Sequence, residues 1–182
     1  MPVVIVTDSS CCLPSEIADR FDIRQVPLHV VYEGRDYREG IDEIPPGLIS
    51  TPGVTTSGAI PADLEEAFGQ ALEDSKGDGV VAVHMSRKLS STWSAARVVA
   101  DKFDGPLRVV DSRSVGLAVG FTALVAAQES ARGGGCDRVY EAAVREAATI
   151  ESLIAVSDLD HLRASGDRKS TRLNSSHLGI SR

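Results

Sequence analysis

Three short apolar runs constrain this chain more than any other feature: PVVIV at 2–6, GVVAV at 79–83 and LRVV at 107–110. A strand that alternates apolar with polar residues rests one face on a core, whereas an unbroken apolar run of strand length has both faces covered, as in a parallel sheet. Helical periodicity lies between the runs. In ADLEEAFGQAL, Leu64, Ala67, Phe68, Ala71 and Leu72 recur at spacings of three and four, with Glu65, Glu66 and Glu73 mostly opposite. Further helices are predicted over 91–102, 115–131 and 138–149, with a closing strand over 153–156. The repeating order of strand and helix implies an α/β fold: a mostly parallel sheet with flanking helices and right-handed crossovers.

The rest reads as connections. Pro14 suits the first turn of a short helix through Ala18. A β-rich segment over 24–32 turns at Glu33-Gly34 and returns over 35–38 as a hairpin, and 45–60, rich in Thr, Ser, Gly and Pro, reads mainly as loop. The last sixteen or so residues, DRKSTRLNSSHLGISR from Asp167, keep neither period and set Arg168, Lys169, Arg172 and Arg182 against one acid. They resemble a translated cloning adaptor, so the domain is expected to occupy 1–166 and the segment 167–182 to be a foreign tail.

Composition excludes several classes. Aromatics are 4% of residues and the net charge is −7, which disfavours base stacking and phosphate binding, so no nucleic-acid partner is expected. Cys11, Cys12 and Cys136 form neither a disulfide framework nor zinc spacing, and His29, His84 and His161 match no metal motif. No glycine-rich phosphate motif occurs, so neither cofactor nor metal is implied. The amino terminus lacks a signal-peptide pattern, and the apolar stretch 115–127 is too short to span a bilayer, which points to a soluble cytoplasmic protein.

Four polar stretches stand at strand ends or in the long loop: Thr7 to Ser10, Thr55 to Ser57, Ser86 to Thr92, and Asp111-Ser112. Ligands of open α/β sheets bind outside the carboxyl ends of the strands, so these stretches are candidates to converge on one crevice. Helix caps and turns account for the same residues. Asp8 is open to several roles: acid, metal ligand, nucleophile, or the acceptor of an Asx-turn. Hydroxyls and unpaired N–H groups at a helix amino terminus suit a small anion such as a carboxylate. An apolar helix over 115–127 either lines a channel for a greasy tail or is simply buried.

Four blocks then carry a resemblance. VIVTDSS with LP after it, TTSGAIPADLEEAF, VHMSRKLSSTWSAA and VVDSRSVGLAVG stand in the order and spacing of the DegV family of bacterial fatty-acid-binding proteins, over Val3 to about Gly166. The resemblance implies a DegV-like amino-terminal domain whose second domain is largely missing. It implies a long-chain fatty acid as ligand, presented to a separate fatty acid kinase that forms an acyl phosphate for phospholipid synthesis, with transient contact with a membrane surface allowed. The protein itself is then a carrier and no enzyme. Thr56 matches the threonine of the family's TSQP block and Ser90 the serine of its LSGT block, both as hydroxyl donors to the fatty-acid carboxylate. Ser57, Ser91, Asp8, Ser9 and, in HLRASG, Arg163 are further ligand-binding candidates, with Asp8 and Ser9 assigned to shaping the loop floor. The chain departs from the family pattern at Gly58, where Gln is usual, and at Ser91, where Gly is usual. A histidine that assists carboxylate binding in some members belongs to the missing domain. Two rival expectations are an enzyme that uses Asp8 on a phosphorylated or acyl substrate, and a non-catalytic module that binds another protein.

Overall fold

The computed structural model describes residues 2–153. Along the chain run β1 (Val4–Asp8), α1 (Ser15–Arg20), β2 (Ile23–Val26), β3 (His29–Tyr32), β4 (Arg35–Arg38), β5 (Thr55–Ser57), α2 (Pro61–Ser75), β6 (Val80–His84), α3 (Thr92–Ala100), β7 (Leu107–Asp111), α4 (Leu117–Ala131) and α5 (Cys136–Thr149). The three apolar runs become β1, β6 and β7. With β2 they form a four-stranded, wholly parallel sheet in the order β2-β1-β6-β7.

Both faces of that sheet are covered, which is why its strands carry no polar alternation. Ile5, Val81, Val83 and Val110 pack with Val119 and Ala123 of α4 and Val139 and Ala143 of α5. Their neighbours Val4, Val6, Val80, Ala82 and Val109 point the other way, onto Leu64 and Phe68 of α2 and Ala96 and Val99 of α3. Leu64 and Phe68 are fully buried, and a side chain of that kind contributes about 1.5–3 kcal/mol by leaving water.

Several boundaries differ from the sequence expectation, each for a local reason. The segment 24–32 is two strands, because Pro27 cannot donate to a ladder. β2 pairs in parallel with β1, whereas β3 is the middle strand of a separate antiparallel sheet, β4-β3-β5. The predicted hairpin is present as β3 and β4. The loop over 45–60 contains β5, three exposed residues recruited to the edge of β3. Helix α3 stops at Ala100, and α5 begins two residues early, at Cys136. Helix α4 begins at Leu117 because Gly116, at φ +66°, holds a backbone shape outside the helix.

Gly120 of α4 sets how closely this helix lies on the turn after β1. A Cβ there would stand 2.6 Å from the Cys11 carbonyl oxygen and 2.9 Å from the Leu13 side chain. Val119, Ala123, Ala126 and Ala127 of the same helix are core, while Leu117 and Phe121 are exposed. Among the described residues, no helix is long and apolar enough to cross a membrane. The predicted strand over 153–156 lies beyond Glu151–Leu153, which carry no regular structure, and so falls outside the described residues, as do His161, Arg163 and the tail from Asp167.

Candidate functional site: a hydroxyl-lined cleft at the strand ends

The crevice follows from the strand order. β1 leads into α1, whose Ala18 packs on one face of the parallel sheet, whereas β6 leads into α3, whose Ala96 and Val99 pack on the other. Connections that leave adjacent parallel strands toward opposite faces open a gap at the strands' carboxyl ends. A cleft of about 630 Å³ lies against these loops and takes its other wall from the antiparallel sheet. That volume is within the range of about 300–1,000 Å³ usual for small-molecule sites.

Three of the four polar stretches reach the cleft. Ser10 comes from the turn after β1, Thr56 and Ser57 from β5, and Ser90 and Ser91 from the loop before α3. The fourth does not. Asp111 instead accepts the backbone N–H groups of Arg87 at 3.3 Å and Arg113 at 2.9 Å, a turn-forming role. Ser86 likewise acts within its own turn, accepting the Lys88 N–H at 3.2 Å.

Asp8 has no side toward the cleft. It is fully buried at the end of β1. One carboxylate oxygen accepts the Ser10 N–H at 3.2 Å and the Ser10 hydroxyl, and the other faces the His84 Nδ1 at 3.0 Å and accepts the Met85 N–H at 3.1 Å. Burial opposes ionisation, but hydrogen bonding and charge from His84, with the Ser10 and Met85 bonds, outweigh it and hold the Asp8 carboxyl below its ordinary value. The result is a strut between the loop after β1 and the loop after β6. The remaining His84 nitrogen, Nε2, has no hydrogen-bond partner among the described residues and lies near the Phe68 ring. A hydroxyl nucleophile would have to meet that nitrogen for the pair to work as an acid–histidine relay, and among the described residues none does.

Ser9 is also structural in its contacts. Its hydroxyl donates to Glu39 at 2.5 Å and accepts the Leu28 N–H at 2.9 Å, tying the turn after β1 to the chain entering β3. Cys11, beside it, is fully buried, and that burial pushes its thiol up to about 11.

Ser90 is built differently. Thr92, buried in the first turn of α3, accepts the Ala59 N–H at 3.1 Å and shares a hydrogen with Ser90 at 2.9 Å, and its own N–H donates to Ser90 at 3.2 Å. With Thr92 as donor in the shared bond, Ser90 accepts twice and its own hydroxyl proton is left for a group in the cleft. Thr56 makes no side-chain hydrogen bond among the described residues, so its hydroxyl is open as well.

The two departures from the family pattern have physical readings. A Cβ at Gly58 would stand 2.6 Å from the Thr92 hydroxyl and 2.9 Å from that of Ser90. Glycine at 58 therefore goes with this Ser90–Thr92 arrangement, because a larger residue would displace the hydroxyls. Ser91 has φ −76° and ψ −8°, a conformation open to any residue, so replacing glycine there brings no backbone strain.

The rest of the lining is mostly apolar: Leu28, Val30, Ile49, Met85, Leu89 and Val115. Of the apolar positions over 115–127 considered for a channel, Val115 alone reaches the cleft, since Val119 is in the core and Leu117 and Phe121 face outward. Among the described residues, no lysine or arginine lines the cleft, and His29 is its one side chain able to carry positive charge. His29 and Thr92 had no assigned role in the sequence reading. Thr92 enters that reading only as the end of the Ser86–Thr92 polar stretch. Arg163 lies outside the described residues.

The sequence and the fold are similar to those of known proteins. The sequence profile of "Uncharacterised protein, DegV family" matches residues 2–180. A DegV domain-containing protein of Mycobacterium tuberculosis is 48% identical over 166 residues, covering 91% of this chain and 59% of that protein. The chain therefore spans less than two thirds of that relative. Among solved structures, a DegV family protein from Thermus thermophilus, described for its fatty acid binding, superposes with a TM-score of 0.79 at 30% identity, over 91% of this chain and 60% of that one. DegV from Bacillus subtilis, described as a fatty acid binding protein, gives 0.74 at 29% identity over 91% and 61%. Matched by the family profile over nearly all its length and by a close relative across most of it, this chain belongs to the DegV family.

Proposed function

We propose that this chain binds a long-chain fatty acid, with Thr56 and Ser90 donating hydroxyl hydrogen bonds to the carboxylate and the apolar walls taking the acyl chain. One observation carries the reading: the Thr56 and Ser90 hydroxyls, on separate elements, β5 and the loop before α3, border the same cleft, whose remaining lining is mainly apolar. The amino terminus of α3 adds unpaired N–H groups, which favour an anion. Each methylene moved from water to such a wall adds about 0.8 kcal/mol, so hydroxyls suffice for the head while the tail supplies most of the affinity. The fatty acid binding of the Thermus and Bacillus relatives supports the same assignment.

In this reading the protein is a carrier. Ser57 and Ser91 complete the polar rim, Asp8 and Ser9 hold the loops that present it, and the bound acid is handed to a separate fatty acid kinase. The rival use of Asp8 as a catalytic group has no support from its placement, because it is fully buried and every contact it makes is internal. Organic extracts of the purified protein, analysed by mass spectrometry, should contain long-chain acids in a defined ratio to protein. Extracts without them, from protein that also takes up none when oleate is added, would overturn the proposal.

A further inference from the structure

His29 is buried, yet both of its ring nitrogens face carboxylates: Nδ1 stands 2.9 Å from each Asp36 oxygen, and Nε2 stands 3.0 Å from Asp63. A neutral imidazole has one N–H, and only the doubly protonated ring donates in both directions. The contacts join three elements, since His29 belongs to β3, Asp36 to β4 and Asp63 to the first turn of α2.

The segment so clasped is the one that carries the Thr56 hydroxyl. At one end, β5 pairs with β3 in the register His29 to Ser57 and Val30 to Thr56. At the other, Asp63 opens α2 only a few residues after β5 ends. β5 itself is a short strand with every residue exposed, so its own burial does little to hold it. His29 fastens both ends. We propose that doubly protonated His29 is a positioning residue for the cleft, holding the Thr56–Ser57 wall at the distance from Ser90 that one carboxylate can bridge. The inference rests on the carboxylate-binding reading for its effect on ligand, but not for the clasp itself.

The charged groups around the ring are few. Asp36 is about half exposed and Asp63 mostly covered. Arg38, opposite His29 in the β3–β4 ladder, pairs with Asp42 at 3.3 Å. Glu39 borders the cleft and accepts from Ser9. The clasp is complete when both ring nitrogens donate, one to each aspartate, and it loses one of these two bonds in a ring with a single N–H.

The test compares the protein with His29→Asn and Asp63→Asn, reading oleate affinity, and hydrogen exchange without ligand at the Thr55–Ser57 amides and at the core amides of β6. His29→Asn should raise the oleate Kd roughly tenfold and exchange at Thr55–Ser57 by a similar factor, with exchange in β6 unchanged. Asp63→Asn, which keeps the side-chain size, should act in the same direction with smaller amplitude. Exchange raised equally in β6 would reduce His29 to a packing residue and overturn the proposal, as would altered exchange with unaltered affinity in a protein where Thr56→Val weakens oleate. If Thr56→Val has no effect on oleate, the ligand reading fails, and the exchange ratios still decide whether the clasp exists.

Discussion

Replacing Asp8 with alanine should cost about 3–5 kcal/mol of folding stability, because each buried donor left without its acceptor costs about 1–3 kcal/mol. The substitution strands four groups at once: the His84 Nδ1, the Met85 N–H, the Ser10 N–H and the Ser10 hydroxyl all lose their partner inside the protein. It also leaves a void between the carboxyl ends of β1 and β6, where the crevice is formed. The sign with pH follows from the lowered carboxyl of Asp8. A group held below its unfolded value stabilises the fold above the ordinary carboxylate range, and that contribution disappears as pH falls through the still lower native value. Urea unfolding at neutral pH should show the full loss, and in acid the difference between the two proteins should narrow. A loss below about 1 kcal/mol at neutral pH would mean that the strut is not what joins the two loops.

Removing the two hydroxyls is the second large effect. Thr56→Val keeps the shape of the side chain, and Ser90→Ala removes a single oxygen. Each should weaken oleate binding by about 1–3 kcal/mol if it leaves a carboxylate oxygen unpaired in a site closed from water. The double variant should fall short of simple addition, because two donors to one carboxylate share the same partner. Ser90→Ala has a further consequence within the protein, since the Thr92 N–H loses its acceptor and the Thr92 hydroxyl loses its partner there. Unfolding curves measured beside the titrations separate that cost from the loss of ligand contact. Thr56 has no such bond to lose, so Thr56→Val should leave stability nearly unchanged while affinity falls.

The parallel sheet was legible because its signal is local and redundant. Val4 to Val6, Val80 to Val83 and Val109-Val110 are apolar on successive residues, which only a sheet covered on both faces accommodates. The antiparallel sheet was half legible. Glu33-Gly34 announced the hairpin, but β5 is three residues of Thr and Ser among glycine and proline, and only its pairing with β3 makes it a strand. For the cleft, placement picked out Ser10, Ser90 and Ser91 at strand ends and Thr56 and Ser57 in the long loop, whereas the carboxylate-binding role of Thr56 and Ser90 came from the family resemblance. Asp111 and Ser112 met the same placement rule and lie elsewhere, because β7 is an edge strand away from the point where the connections diverge. The His29 clasp was invisible in the sequence. Its three members come from different elements, and a histidine in a β-rich stretch looks the same whether it meets two carboxylates or none.

The central claim is that two hydroxyls from separate elements hold one carboxylate, and an experimental structure of the oleate complex tests it most directly. The account predicts both carboxylate oxygens in the cleft, within about 2.5–3.0 Å of the Thr56 and Ser90 hydroxyls, with methylenes along Val30, Met85 and Leu89. A carboxylate bound elsewhere, with Thr56 and Ser90 left to water, would contradict it.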